Sequence, residues 1–471
     1  MPPNVLFVLA DDLGWRDLGC YGSPFYETPY LDRLAQDGTR FTDAYASAPV
    51  CSPTRASIMS GQYPARVGIT NYIAGQDRGK LLEPEYNTYL PHELTTLPAS
   101  LNDGGYHTWH VGKWHLGGED EDSLPGDHGF DENVGGCDWG MPFNGFFSPW
   151  EIPTLEDGPP GEYLTDRLTD EAIGLIESHD GEDPFFLNMC YYSVHIPIEA
   201  KDETIEKYER KREALGLDDA PEFEVGEAFP SEGQKDSHVK RRRRQSDPTY
   251  AAMVQHLDSN IGRLLDTLRC EGIADDTLVV FTSDNGGLAT AEGSPTCNRP
   301  LREGKGWMQE GGNRVPFLVR WPGVTDDGAD RIVREPVVAP DVYPTALDAA
   351  GIEPPDQPVD GESLRQPCAG EELDRKAVFW HYPHYGSQGG TPSAAVRSGD
   401  WKLIEFFEND RVELYDLTDD VQESEDLSEY LPERTETLRD RLHDWHETVD
   451  ARMPSENPDF ETWEGRREID P

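Results

Sequence analysis

Residues 4–12 read NVLFVLADD. An unbroken apolar run with β-branched and aromatic side chains marks a strand buried on both faces, as in a parallel sheet covered by helices. The two acids that follow, Asp11 and Asp12, fall at the carboxyl end of that strand, where open α/β sheets bind their ligands. The same alternation continues along the chain. TPYLDRLAQDG (28–38) reads as an amphipathic helix with Thr28 as its cap, and SPTRASIMSG (52–61) as a short second helix with Pro53 in its first turn. GYHTWHVGKWH (105–115), PFFLNMCYY (184–192), DTLVVFTSDNGG (276–287) and VPFLVRWPG (315–323) each carry a strand, and helical segments separate them. Strands alternating with helices predict a large, mostly parallel sheet sandwiched by helices. Residues 201–248 interrupt this rhythm as a charged excursion containing one helix. From about residue 375 the pattern becomes antiparallel strands followed by a closing helix. The expected organisation is therefore a main domain over 1–374, with the insertion at 201–248, and a small C-terminal α+β subdomain over 375–471.

Composition narrows the partners. The chain has 91 acidic and 41 basic residues, a net charge of −50. The acids are spread over turns and helix faces rather than gathered in a tail, which is the pattern of a salt-adapted, halophilic enzyme. A surface of that sign does not bind nucleic acid, which needs basic groups against its phosphates. Seven cysteines, odd in number and irregularly spaced, suit reduced thiols better than a disulfide framework. The first strand starts at once, with no n-region or cleavage site ahead of it, and no apolar run approaches the ~20 residues of a membrane span. A cytoplasmic enzyme without membrane contact is the expectation.

Two strands end in oxygen donors: Asp11 and Asp12 after the first, Asp284 and Asn285 after VVFTS. Either pair alone reads equally well as an ordinary helix cap. At matching strand ends, three carboxylates and an amide suit a hard cation, Ca²⁺ or Mg²⁺. Lys113 and His115 in HVGKWHLGG are two residues apart and so share a face of the strand that carries them. His195 lies just beyond another apolar strand, and Lys305 sits in a Gly-rich loop. Together they make a protonatable, cationic cluster able to hold a tetrahedral oxyanion and protonate a leaving group. Cys51 opens the short helix, where backbone N–H groups and the helix dipole favour an anion, with Arg55 one turn on. A half-buried structural thiol is the bland alternative.

CSPTRASIMSGQYPARVG (51–68) resembles the signature of the type I sulfatases of the alkaline phosphatase superfamily. NVLFVLADDLGWRDLGCYG, GYHTWHVGKWHLG, YYSVHIP, LVVFTSDNGG and LREGKGWMQEGGNRVPFLVRWPG resemble that family's other blocks, in its order. The resemblance implies an alkaline phosphatase-like fold and a sulfuric ester hydrolase acting on a sulfated carbohydrate or aryl sulfate. It further implies that Cys51 is oxidised to formylglycine (3-oxoalanine) by a formylglycine-generating or sulfatase-maturing enzyme. Asp11, Asp12, Asp284 and Asn285 would hold the cation, and Arg55 would stabilise the aldehyde hydrate. His115 would help collapse the covalent sulfate adduct. Lys113, His195 and Lys305 would grip the sulfate, with His195 or Lys305 protonating the departing alcohol. The same superfamily contains phosphodiesterases and phosphonate monoester hydrolases, and a non-catalytic glycan-binding relative is the third class. CDWGMPFNGFF (137–147) departs from the family pattern, and no role is carried over from it.

Substrate recognition is expected in variable loops. His381 and His384, in FWHYPHYGSQGG (379–390), sit among aromatics and either stack on sugar rings or pack as a turn. Trp139, Phe143 and Trp150 carry the same two readings. The basic run at 240–244 reads as a solvated loop rather than a glycan contact.

Overall fold

The computed structural model describes residues 2–219, 221–325 and 330–460. Strand β1 (Asn4–Ala10) lies inside an eight-stranded sheet with β2 (Thr39–Phe41), β3 (His107–Gly112), β4 (Glu132–Val134), β5 (Phe185–Cys190), β8 (Thr277–Ser283), β9 (Phe317–Arg320) and β10 (Arg331–Val333). A separate hairpin, β6 (Phe223–Ala228) and β7 (His238–Arg242), falls between β5 and β8. The sheet order is β10-β2-β9-β8-β1-β5-β3-β4, parallel except that β9 runs antiparallel to both β8 and β2.

Alternation along β1 explains the sandwich. Leu6, Val8 and Ala10 face one apolar core with helices α1 (Pro29–Gln36), α4 (Leu164–Ser178) and α6 (Pro248–Cys270). Val5, Phe7 and Leu9 face the other with α2 (Cys51–Ser60), α3 (Leu97–Asp103) and α7 (Val342–Ala350). A strand with apolar residues on both faces has no solvated side, so it can only sit inside a covered sheet. The insertion contributes α5 (Asp202–Ala214) as expected, and the β6–β7 hairpin, which sequence reading missed.

The C-terminal segment is a four-stranded antiparallel sheet, β11 (Val378–Tyr382), β12 (Ser393–Ser398), β13 (Trp401–Phe406) and β14 (Arg411–Asp416), with α8 (Pro432–Thr448). Its core is shared with the rest of the chain: Trp380, Leu403 and Leu414 pack with Tyr45, Tyr63 and Val50, the residue just before Cys51. No helix among the described residues is long and apolar enough to cross a membrane. All seven cysteines are free thiols.

Two local expectations give way to tertiary contacts. Thr28 does not cap α1; its hydroxyl accepts from the Gly19 N–H (2.8 Å) and donates to Asp32 (3.0 Å). The cap comes instead from Asp258 on α6, whose carboxylate accepts from the N–H groups of Tyr30 (3.1 Å) and Leu31 (2.8 Å). The basic run is not a solvated loop. Lys240, Arg241 and Arg242 lie in β7, whose backbone donates to Thr290 and Ala289 carbonyls at 3.0 and 3.1 Å. Arg241 pairs with Glu303 and Glu227, each at 2.7 Å, and Arg242 is buried. Neighbouring carboxylates compensate charges that the sequence shows as a bare cluster.

Asp258 also sets a pH dependence. Burial pushes its carboxyl from the ordinary 3.8 up to about 7, against the pull of the Leu31 and Tyr30 N–H groups. The folded chain then keeps a proton that the unfolded chain releases, so this residue's contribution is complete below pH 3.8 and lost as pH rises towards 7. Asp258→Asn should flatten the dependence of urea unfolding free energy on pH across that window. An unchanged slope would contradict this reading.

Candidate active site

Four adjacent parallel strands bring the chemistry together because they end level with one another. Ala10 of β1 is in register with Ser283 of β8, so Asp11 and Asp12 emerge beside Asp284 and Asn285. On the other side Leu9 pairs with Cys190 of β5, and Cys190 with Gly112 of β3. Lys113 and His115 therefore do not share a face of a strand. Gly112 has φ +98°, and a Cβ there would lie 1.9 Å from the Cys190 carbonyl oxygen, so the strand ends and a loop carries both residues inward. His195 follows β5 by five residues in a buried loop whose backbone bonds Asp11. Lys305 enters from a loop stitched between the Gly287 carbonyl (3.2 Å from Lys305 N) and the Pro49 carbonyl (2.8 Å from Gly306 N).

The ten strand-end, helix and loop residues anticipated around the cation and sulfate all converge, and all are buried. Lys113 Nζ lies 2.7 Å from Asp11 Oδ2, and Lys305 Nζ lies 2.8 Å from Asp12 Oδ2. Arg55 holds Asp284 Oδ2 through Nε (2.9 Å) and Nη2 (2.8 Å), and donates Nη1 to the Lys113 carbonyl at 2.8 Å. Asn285 Nδ2 donates to Asp12 Oδ1 at 2.8 Å. His195 Nδ1 lies 3.0 Å from the Ile196 carbonyl and so carries the proton, leaving Nε2 to accept from Lys305 at 3.0 Å. Cys51, first residue of α2, places Sγ 3.4 Å from His115 Nδ1. The His115 ring in turn lies against Gly140, where a Cβ would come within 2.6 Å of it.

The electrostatics follow from burial and these pairs. Burial raises the Asp11 carboxyl to about 8, opposed by Lys113. Burial works the same way on Asp12, but Lys305, His195 and Lys113 together overcome it and hold that carboxyl low. Burial and then Lys305 press His195 down to about 3, and burial with Lys113 keeps His115 neutral too. The Cys51 thiol is pushed up by burial, with Lys113 and Lys305 pulling the other way. A buried neutral thiol is a poor nucleophile.

The site fits a cation. Asp11 Oδ1 and Asn285 Oδ1 are buried with no hydrogen-bond partner among the described residues, a costly arrangement in a dry interior unless something else engages them. They belong to an oxygen-rich set, and Asp11, Asp12 and His195 have potential ligand atoms within 4.8 Å of one another. Hard divalent cations take such oxygens.

The aromatic candidates fall elsewhere. His381 is buried, with Nε2 3.0 Å from the Arg452 carbonyl and its ring against His446. His384 is buried between Thr70 (2.8 Å) and Glu83 (3.2 Å). Neither ring is offered to solvent. Trp150 belongs to the main core, whereas Phe143 is exposed with Trp139 packed edge-on against it. Sequence reading missed Glu292 and Gln388, bonded to one another at 3.2 Å near Lys305. Glu292 comes five residues after the end of DNGG, in a loop without any pattern that would single it out.

Structures of similar fold cover nearly the whole chain. One titled as Ps i-CgsB in complex with k-i-k-neocarrahexaose is 28% identical, with a TM-score of 0.74 over 94% of this chain and 93% of its own. A phosphonate monoester hydrolase of Agrobacterium radiobacter, 21% identical with a TM-score of 0.67, covers 95% of this chain and 96% of its own and shares the fold. Fold and site together define an alkaline phosphatase-like hydrolase. The sulfatase family profile matches residues 3–352, and that of the N-sulphoglucosamine sulphohydrolase C-terminal region matches 304–450. The chain belongs to the sulfatase family and is a sulfatase enzyme. A sulfatase of Formosa agariphila is 31% identical, covering 90% of this chain and 84% of its own. Human N-acetylgalactosamine-6-sulfatase is 32% identical, covering 87% and 74%.

Proposed function

We propose that the protein removes sulfate from a sulfated carbohydrate, using Cys51 converted to formylglycine by a maturing enzyme and a divalent cation, Ca²⁺ or Mg²⁺, held by Asp11, Asp12, Asp284 and Asn285. The observation that carries this reading is the convergence at Cys51: a buried thiol at a helix N-terminus, 3.4 Å from His115, within the electrostatic influence of Lys113 and Lys305, which pair with Asp11 and Asp12. When present, the aldehyde hydrate supplies a hydroxyl nucleophile and a second hydroxyl for sulfate release, while the cation supplies Lewis-acid polarisation.

The chain's own residues divide the remaining work. Arg55, fixed by Asp284 and the Lys113 carbonyl, presents its guanidinium beside the side chain of residue 51. Lys113 and Lys305 hold sulfate oxygens. Lys305 Nζ donates one hydrogen to the neutral Nε2 of His195, so the proton passed to the departing alcohol oxygen comes from another of the ammonium's hydrogens and leaves with the alcohol, while His195 Nε2 orients the Lys305 amine. His115 Nδ1 takes the hydroxyl proton at residue 51 when sulfate is expelled. Glycan substrates are supported by the relatives: an N-acetylgalactosamine-6-sulfatase and a structure holding neocarrahexaose. Residues 375–471 complete the cleft on this reading, supported by Gln388 reaching Glu292; residues 461–471 lie outside the described part. Parallel assays on an aryl sulfate and an aryl phosphate diester test the reaction class. Preferential sulfate hydrolysis is expected, and preferential diester hydrolysis would refute it.

The charge of −50 supports adaptation to salt. Near 1 M salt the Debye length falls to about 3 Å, which screens most self-repulsion. The thermal midpoint should therefore climb with added KCl; a flat or falling midpoint would contradict the adaptation.

A further inference from the structure

The hairpin β6–β7 and the loop that follows the Asp284–Asn285 strand end enclose a cleft of about 720 Å³. Phe223 and Phe229 give it apolar walls, and Asp236, Lys240, Thr290 and Glu292 give it polar ones. A mixed apolar and polar cleft of this size is of the kind that holds small ligands. Glu292 is exposed to it, yet near enough to the reaction centre for the charges of Lys305 and Asp12 to act on its carboxylate. Tyr72, hydrogen-bonded to Ser387 at 2.9 Å, is likewise in electrostatic reach of Glu292, Lys305 and Cys51. Lys305 does not line the cleft; the link to it runs from Glu292 through Gln388 to Gly306, the residue next to Lys305.

Glu292 is held rather than loose. Gln388 Nε2 donates to Glu292 Oε1 at 3.2 Å, which fixes the amide orientation. Gln388 is 4% exposed, and its Oε1 has no partner. It lies against Gly306, where a Cβ would come within 2.6 Å of it. A buried amide oxygen left without a donor is expensive unless a ligand supplies one. A carboxylate accepts only, so Glu292, the member of the pair that lines the cleft, offers acceptors to hydroxyl donors and opposes a second anion.

We infer that Glu292 is a specificity-determining residue, reading a hydroxyl of the sugar that carries the scissile sulfate and rejecting a second sulfate at that position. The inference rests on the carbohydrate sulfatase reading and adds a leaving-group subsite built by the insertion hairpin. Glu292 binds substrate and takes no part in bond breaking.

The test uses the full chain produced with a maturing enzyme. Wild type, Glu292→Ala and Glu292→Gln are assayed on galactose, glucose and N-acetylgalactosamine 6-sulfates, a disulfated galactose, and 4-nitrophenyl sulfate, which has no hydroxyl. In Glu292→Ala the kcat/KM ratio of the best sugar to the aryl ester should fall about ten-fold or more, the worth of a hydrogen bond to a charged group. In Glu292→Gln the ratio of disulfated to monosulfated galactose should rise by about ten-fold, because a like-charge juxtaposition has been removed. Ratios that stay at the wild-type values in both variants overturn the inference. Calorimetric binding of the same sugars separates it from the underlying reading. If wild type hydrolyses no sulfate ester, the sulfatase reading fails, and weaker sugar binding in Glu292→Ala still supports the subsite. Equal binding by variant and wild type, or no binding to wild type, overturns it.

Discussion

Replacing Cys51 with alanine should lower turnover of a sulfate ester by roughly 10⁴–10⁶-fold, the range lost when a covalent enzyme loses its nucleophile. The loss is specific to chemistry because the substitution removes little else. Cys51 begins α2 in a spot where Ala fits the helix, and its one side-chain hydrogen-bond contact is His115 at 3.4 Å. Val50, just before it, remains anchored in the core shared with the C-terminal sheet. Unfolding free energy in urea should change by no more than about 2 kcal/mol, within the ordinary range for single substitutions. Turnover within a few-fold of wild type would remove residue 51 from the mechanism, whatever the substrate.

Arg55→Met should cost both stability and activity. Arg55 and Asp284 are both buried, and the guanidinium is bound to that carboxylate through two nitrogens while it also satisfies the Lys113 carbonyl. Methionine fills much of the space but takes the guanidinium from the Asp284 carboxylate, which keeps the Asp12 N–H at 3.2 Å, and leaves the Lys113 carbonyl without the Arg55 donor. Breaking a buried ion pair from one side costs about 3–5 kcal/mol, which urea unfolding would resolve. Arg55→Lys should recover only part of this, since one ammonium cannot reproduce a planar fork that reaches two acceptors. If the methionine variant unfolds within about 1 kcal/mol of wild type, near the centre of ordinary mutational effects, the ion pair does not support the site.

How far these features are legible in sequence depends on whether their cause is local. The buried strands are legible because NVLFVLA and its counterparts are apolar on both faces, a property of consecutive residues. The site is legible at Asp11, Asp12, Asp284 and Asn285 because parallel strands that end level must bring their next residues together. For Lys113 and His115 the two-residue spacing points to a shared strand face, but Gly112 turns the chain out of the strand before either residue, and a loop brings them to the site. Thr28 and the basic run misled for one shared reason. Each is satisfied or neutralised by groups far away in sequence, such as Asp258 for the helix end and Glu303 for Arg241. Glu292 and Gln388 left no local signal at all, because their meeting depends on how the C-terminal segment folds back over the Lys305 loop.

On the proposed mechanism, residue 51 of active protein is formylglycine. The most direct measurement is the intact mass of the peptide spanning residues 48–66, taken from a preparation whose sulfate-ester turnover has been measured. The expected peptide is lightened by the exchange of CH₂–SH for CHO and reacts with a hydrazide, in an amount that tracks specific activity across preparations. A fully active preparation in which that peptide carries only the unmodified Cys51 thiol would contradict it.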